Sequence, residues 1–353
     1  MQNFGLIRRG AGKAVLEPIP VPTLQDDYIL VKTVAVALNP TDWTTIDAVG
    51  DDGTLVGCDY AGVVEAAGPK VTKKFRPGDR VAGFGHGGND ANPETGVFAR
   101  YVAVKGDIQM HIPDAVDFGA AASVGCGIGT VGFGLYKILG LPWPGTEEEV
   151  VTPEWILIYG GSTATGTLAI QFAKLSGFKV VTACSPRNFD LVKSLGADLA
   201  FDYKLPDVGQ KIREATNFTI TKVFDTVAVE TSARICAVAF GPSGGIYCNL
   251  LGADCPRDDV ESIFFLGYDM SGELYKFEGE VYPARPEAFE FGRRWYSVAE
   301  KLWAEGKWKP HPQRIGAGGL LGAVDGMMEM RQGLVSGQKL VYLVNETTWP
   351  DKT

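Results

Sequence analysis

The sequence predicts an α/β protein. A glycine-rich β domain comes first, a doubly wound parallel-sheet domain follows, and a C-terminal segment returns to the first. Three observations carry this expectation. At 353 residues the chain is near the size at which one core stops growing and chains divide into domains. Short β-rich runs separated by glycine turns occupy roughly residues 1–115. Apolar strands then alternate with helical runs between 155 and 250, as βαβ units do. The expected division is 1–127, 128–280 and 281–353.

In chain order, residues 28–38, 62–66 and 80–84 are β-rich, with turns at Pro-Gly-Asp (77–79) and Gly-His-Gly-Gly-Asn-Asp (85–90). Asp117 is placed to cap a helix. The stretch 118–141 holds one charge, Lys137, and is long enough to span a membrane. Seven glycines and the Leu-Pro-Trp-Pro at 141–144 make it a buried, interrupted helical stretch instead. Residues 141–154, with three consecutive glutamates, read as an exposed loop. A strand at 155–159, the loop 160–166 and a helix at 167–176 open the second domain. A strand at 179–183, a helix at 189–195 stopped by Gly196, and strands at 199–201, 222–227 and 245–250 continue it. Helices at 288–306 and 320–332, glycine turns at 316–319 and a strand at 339–344 complete the chain.

Charge and cysteine usage exclude whole classes. Acidic residues number 42 against 33 basic ones, a net charge of −9, and no basic stripe offers a nucleic-acid footprint. Cys58, Cys126, Cys184, Cys236, Cys248 and Cys255 show no repeated spacing, so reduced thiols are expected rather than a disulfide scaffold. Residues 1–22 lack the apolar core of a signal peptide, and a cytoplasmic location with no membrane association is expected.

The sharpest local signal is the strand–loop–helix at 155–176. Gly161 and Gly166 hold the outer positions of a G-x-G-x-x-G pattern, where a dinucleotide fold needs a tight turn and a close helix–strand approach. Thr163 replaces the middle glycine, and Ser162, Thr163 and Thr165 add hydroxyls beside Ala164 that can donate to phosphate. An NAD enzyme carries an acid about 20 residues on, for the ribose 2′-hydroxyl. Here Ser185, Pro186, Arg187 and Asn188 follow Cys184 with no acid until Asp190, a set that suits a 2′-phosphate and hence NADPH. Tyr203 follows the next strand, placed to lie near the adenosine.

Ala-Leu-Asn-Pro-Thr-Asp (37–42), Gly-Cys-Asp-Tyr-Ala-Gly (57–62) and Phe-Arg-Pro-Gly-Asp-Arg-Val (75–81) make the whole chain resemble the quinone-oxidoreductase branch of the medium-chain dehydrogenase/reductase superfamily. Tyr-Gly-Gly-Ser-Thr-Ala-Thr (159–165), Cys-Ser-Pro-Arg-Asn-Phe-Asp (184–190) and Phe-Asp-Tyr (201–203) look like the fungal trans-acting enoyl reductases, the lovastatin type. The resemblance implies a GroES-like catalytic domain and a Rossmann domain. It also implies an NADPH-dependent, zinc-free reduction of the α,β-double bond of a carrier-bound polyketide. An iterative polyketide synthase, alone or as a hybrid with a peptide synthetase, would be the partner. The lovastatin-type relatives are monomers by implication, while other superfamily members pair through their Rossmann sheets.

The same resemblance assigns residues. Thr41, Asp42, Trp43, Thr44, Leu250, Leu251, Leu340 and Val341 join the loop residues at the cofactor. Ile128, Gly129, Thr130, Val131, Gly132, Phe133, Gly134 and Leu135 line an acyl tunnel with Gly267, Tyr268, Asp269, Met270 and Ser271. Gly129, Gly132 and Gly134 either leave room for the acyl chain or serve close helix packing. The lovastatin-type relative has an active-site lysine where this chain has Thr44. Thr44, Thr130 and Asp42 are therefore the catalytic candidates, Asp42 to order the nicotinamide ribose.

Zinc-dependent relatives place a Cys, a His-Glu pair and a second Cys around the metal. This chain offers Asn39, Cys58-Asp59 and Cys126 at those places. Three other readings stay open at this level: a quinone or small-enone reductase, a zinc alcohol dehydrogenase, and a non-catalytic NADPH-binding partner protein.

Overall fold

The computed structural model describes residues 2–49, 52–145 and 153–350, so the middle of the expected 141–154 loop lies outside the described residues. The chain divides into two compact units, residues 1–129 with 268–353, and residues 130–267.

In the first unit, strands run in the order Gln313–Gly316, Lys339–Leu343, Tyr28–Ala37, Asp59–Ala67, Arg80–Phe84 and Met110–His111, and Tyr101–Lys105 also pairs with Tyr28–Ala37. The first pair is parallel and the rest antiparallel. Tyr28–Ala37 is the hub, an apolar strand that shifts register twice, at Leu30/Val31 and Thr33/Ala35. Such bulges bend a strand and re-aim its side chains. Val31, Val36, Tyr60, Val81 and Phe98 fill the core beside it.

The helix Pro286–Ala304 starts with proline at its first turn, where no N–H is needed. It buries Ala288, Gly292, Trp295, Tyr296, Ala299, Leu302 and Trp303, one stripe at helical spacing. Trp295 is fully buried, and its indole N–H donates to the Ile128 carbonyl at 2.8 Å. Residues 268–280, read from sequence with the middle domain, belong to this unit. The turn Gly267–Ser271 and the hairpin Tyr275–Phe277/Glu280–Tyr282 hold them there through ring contacts with His86.

Among the described residues the second unit is a parallel sheet of six strands, ordered Leu199–Asp202, Lys179–Cys184, Trp155–Tyr159, Lys222–Asp225, Gly245–Asn249 and Val260–Phe264. Numbered within the unit this is 3-2-1-4-5-6, the doubly wound order that puts a ligand crevice at the carboxyl ends of the first and fourth strands. Leu157, Val181, Val223 and Tyr247 are wholly buried, as strands covered on both faces require. The sequence reading omitted Val260–Phe264, whose Glu261 and half-exposed side chains befit an edge strand.

The 118–141 stretch forms short helices, Phe118–Ala122 and Gly125–Val131, and then the wider π-type turns Gly132–Ile138. Asp117 caps the first, accepting the Ala120 N–H at 2.8 Å. Among the described residues no helix is long and apolar enough to cross a membrane.

Trp295→Ala removes a buried ring and its hydrogen bond. It should cost about 3–5 kcal/mol in chemical denaturation, and a loss below about 1 kcal/mol would contradict this packing.

Candidate functional site

Register in the first unit brings three chain segments together. Asp59 opens its strand opposite Ala37, and Val341, two residues beyond Lys339, also faces Ala37. Asn39, just past the hub strand, caps the short helix Pro40–Thr44. The Lys339 ammonium lies 2.5 Å from Asp59 Oδ2 and donates to Asn39 Oδ1 at 2.8 Å. Asn39 Nδ2 donates to Asp59 Oδ2 at 2.9 Å, and the Cys126 N–H donates to Asp59 Oδ1 at 2.6 Å. The Lys339 and Asp59 side chains are 3% and 0% exposed. Burial alone would pull the Lys339 pKa down, but Asp59, with Cys126 and Asp42, holds it above its ordinary value. Lys339 was read from sequence only as the start of a strand, not as a site residue. Its only signal is a lysine opening the otherwise apolar run Lys-Leu-Val-Tyr-Leu.

The residues compared with zinc ligands do converge here, yet they do not suit a dication. Asn39 is spent on Lys339 and Asp59, and Asp59 is already neutralised by an ammonium. The Cys126 thiol bonds the Cys58 thiol, and this contact and burial hold its pKa well above the ordinary value. Among the described residues no three His, Cys, Asp or Glu groups are arranged for a metal.

Asp42 lies beside this pair, 1% exposed. Its Oδ2 accepts the Asn39 N–H at 2.7 Å, closing the first helical turn, while Oδ1 has no hydrogen-bond partner. Burial pushes its pKa up to about 7, opposed by the Asn39 N–H and reinforced by Asp59. Thr44 donates to the Thr41 carbonyl at 3.1 Å, and the Thr41 hydroxyl meets the Tyr268 phenol at 2.8 Å. Trp43 packs on the core, with Arg331 5.7 Å over its ring. Leu340 and Val341 are buried in their strand, and Leu340 offers its carbonyl to Leu38.

In the second unit the loop 160–163 follows the first strand of the sheet, and helix Ala164–Leu175 follows the loop. A Cβ at Gly166 would stand 2.3 Å from the Gly160 carbonyl, so only glycine lets the helix approach the loop. Thr163 is the N-cap, accepting the Gly166 N–H at 2.9 Å. Its hydroxyl also lies 2.9 Å from that of Thr226, which spends its own hydrogen on the Tyr159 carbonyl at 2.8 Å. Thr163 must then be the donor to Thr226, so its hydrogen, read from sequence as free for phosphate, is committed within the fold. Ser162, Ala164 and Thr165 remain half-buried at the helix start.

After the second strand come Ser185 and the single turn Pro186–Asn188. Arg187 is exposed, and the Asn188 side-chain nitrogen is buried with no partner. Tyr203 is 38% exposed and Leu251 70%, with Leu250 between buried and exposed. A partnerless amide donor beside an exposed guanidinium is what an anionic cofactor group would satisfy, so these residues fit the nucleotide assigned to them.

The tunnel assignments fare differently. Ile128, Val131, Phe133 and Leu135 are buried, Gly132 is buried with them, and Thr130 is half-buried. A Cβ on Gly129 would meet the Tyr296 hydroxyl at 2.9 Å, and one on Gly134 the Phe224 ring at 2.7 Å. At those two glycines the place a side chain would take is already filled, so they permit close packing. Asp269 accepts from Tyr275 at 2.9 Å and Arg285 at 2.7 Å, Met270 is fully buried, and Ser271 accepts the Glu273 N–H. Gly267 lies open, with only the Thr130 hydroxyl within 4.0 Å of a Cβ placed there.

A GroES-like alcohol dehydrogenase domain matches residues 25–114, and a zinc-binding dehydrogenase domain matches residues 164–248. With the 3-2-1-4-5-6 sheet, they define an oxidoreductase of the medium-chain dehydrogenase/reductase superfamily, whose reductant is NAD(P)H. Solved structures agree on the fold. An alcohol dehydrogenase superfamily protein from Novosphingobium aromaticivorans is 21% identical with TM-score 0.79, over 97% of this chain and 99% of that one. The CurK enoyl reductase is 17% identical with TM-score 0.74, over 97% and 99%. Within the superfamily the chain belongs to the trans-enoyl reductases, and it is an enoyl reductase. It is 44% identical to the trans-enoyl reductase resD of Aspergillus sclerotiorum over 96% of this chain and 99% of the relative. It is 44% identical to ACTTS2 of Alternaria alternata over 96% and 98%, and 51% identical to TOXD of Cochliobolus carbonum over 77% and 91%.

The raised pKa of Asp42 has a signed consequence. The folded protein holds this proton more tightly than the unfolded chain, so the group costs nothing below the ordinary carboxylate range. Its cost grows as pH rises to about 7 and is constant above. Asp42→Asn keeps an oxygen for the Asn39 N–H. It should stabilise the protein at pH 8 by up to about 4 kcal/mol, and by less than half that at pH 5. A gain independent of pH in urea denaturation would contradict the buried, proton-retaining carboxyl.

Proposed function

We propose that this enzyme uses NADPH to reduce the α,β-double bond of a thioester carried by an iterative polyketide synthase acting in trans. The observation that carries the cofactor choice is the end of the second strand of the parallel sheet. The turn that follows the strand, residues 185–188, carries no carboxylate of its own, although Asp202 of the neighbouring strand pairs with Cys184; Arg187 is exposed, and the buried Asn188 amide lacks a partner. The 44% identity to named trans-enoyl reductases over nearly the whole chain supports the reaction.

NADPH, when bound, supplies a hydride for the β-carbon of the substrate. The chain's own part begins with Gly161 and Gly166, which permit the close turn, and with the N–H groups at the start of helix Ala164–Leu175, which would receive phosphate. Ser185, Arg187 and Asn188 supply donors for a 2′-phosphate. In the first unit Thr41, Asp42 and Thr44 stand on one short helix fixed by Asn39, and they orient the nicotinamide ribose. The buried Lys339 keeps a positive charge beside Asp42. Orientation, exclusion of water and preset charge are the means by which a protein assists such chemistry.

The test is NADPH oxidation with crotonyl-pantetheine, with the synthase's carrier-bound enoyl chain, and with a small quinone. Carrier-bound substrate should win, and fast quinone turnover with every enoyl thioester inert would overturn the reading. Arg187→Ala should lower the preference for NADPH over NADH by roughly 10- to 100-fold, the loss of one charge-assisted hydrogen bond. An unchanged preference would remove Arg187 from the 2′-phosphate site.

A further inference from the structure

We propose that Tyr268 is the acid that completes the reduction by protonating the α-carbon, an assignment that rests on the enoyl-reductase reading. Two segments assigned to different ligands meet at one bond. Thr41, on the cofactor-side helix, and Tyr268, on the acyl-side turn, place their hydroxyl oxygens 2.8 Å apart. The phenol also has the Cys58 sulfur at 3.7 Å. Two hydroxyls carry two hydrogens, and their mutual bond uses one. Among the described residues the other meets no acceptor but the Cys58 sulfur.

The ring is held for this work. It stacks face to face on His86, with centroids 3.5 Å apart and planes 3° from parallel, and Tyr275 meets its edge at 5.9 Å. The other acids of the cluster are spent on partners or, as with Asp42, shut in by burial. His86 is neutral at physiological pH, because burial takes its pKa down to about 3. The Lys339 ammonium is committed to Asp59 and Asn39. The Cys126 thiol bonds Cys58 and sits well above its ordinary pKa. Asp42 is 1% exposed, with one oxygen bound at the helix cap.

The step balances simply. Once the β-carbon holds the hydride, the former π pair resides on the α-carbon and thioester oxygen as an enolate. The Tyr268 O–H bond breaks, a C–H bond forms at the α-carbon, and the electron pair stays on the phenol oxygen. A thioester enolate is a far stronger base than a phenolate, so the transfer runs downhill even from a buried phenol. Burial disfavours a lasting phenolate. The half-buried Thr41 therefore hands its hydrogen to Tyr268 and takes one from water.

Tyr268→Phe keeps the ring and removes the acid. Wild type, Tyr268→Phe, Thr41→Val and Asp42→Asn are compared in deuterated water with crotonyl-pantetheine and NADPH. Turnover and the configuration of deuterium at the α-carbon are read, with thermal unfolding and NADPH affinity measured separately. Wild type should deliver α-deuterium in a single configuration. Tyr268→Phe should be slowed about 10²-fold or more and give both configurations, with unfolding temperature and NADPH affinity unchanged. Thr41→Val should slow turnover and keep the single configuration. A wild-type rate and single configuration in Tyr268→Phe would overturn the assignment alone, as would scrambling confined to Asp42→Asn. A wild type inert toward enoyl thioesters would overturn the enoyl reading and this assignment with it.

Discussion

Lys339 carries a full positive charge where its side chain is 3% exposed, and a charge in such a place must be met by the fold or given up. It is met by Asp59, wholly buried, and by the Asn39 amide, each from a different strand end of the same sheet. The remaining polar groups arrange themselves around that requirement. Asn39 turns its amide nitrogen to Asp59, which fixes the cap of the helix bearing Thr41, Asp42 and Thr44. The second oxygen of Asp59 takes the Cys126 N–H, which fixes the start of Gly125–Val131. One ion pair thus positions two helix starts, and the Asp42 carboxyl, squeezed between burial and a neighbouring acid, keeps its proton to about pH 7.

The second unit solves a different problem with neutral groups. Its crevice lies at the carboxyl ends of Trp155–Tyr159 and Lys222–Asp225, where two loops must be held together yet leave backbone N–H groups free. A chain of hydroxyls does this: Thr163 donates to Thr226, and Thr226 to the Tyr159 carbonyl. The middle position of the glycine pattern is therefore not merely degenerate. Threonine there is an N-cap and a loop clasp at once, which a glycine cannot be.

Much of this was legible in the sequence because it is periodic or punctuated. The parallel strands are short apolar runs between glycines, and helix Pro286–Ala304 shows its buried stripe plainly. Edge and polar strands such as Val260–Phe264 were not legible, since half-exposed side chains carry no apolar pattern. The cofactor loop was found from local spacing, but the role of Thr163 depends on Thr226, 63 residues away. The glycines at 129 and 134 show the limit most clearly. A small residue makes space only if nothing fills it, and here Tyr296 and Phe224 do. Lys339 escaped for the same reason: its partners are 280 and 300 residues distant in sequence.

A double-mutant cycle on Lys339 and Asp59, followed by urea denaturation at pH 7, addresses the organising ion pair directly. Lys339→Met and Asp59→Asn should each lose about 3–5 kcal/mol, because each leaves its partner buried and uncompensated. The double variant should lose less than their sum by about 2 kcal/mol or more. Additive losses would mean that the two groups act independently, and the site would then owe its arrangement to something other than the buried charge pair.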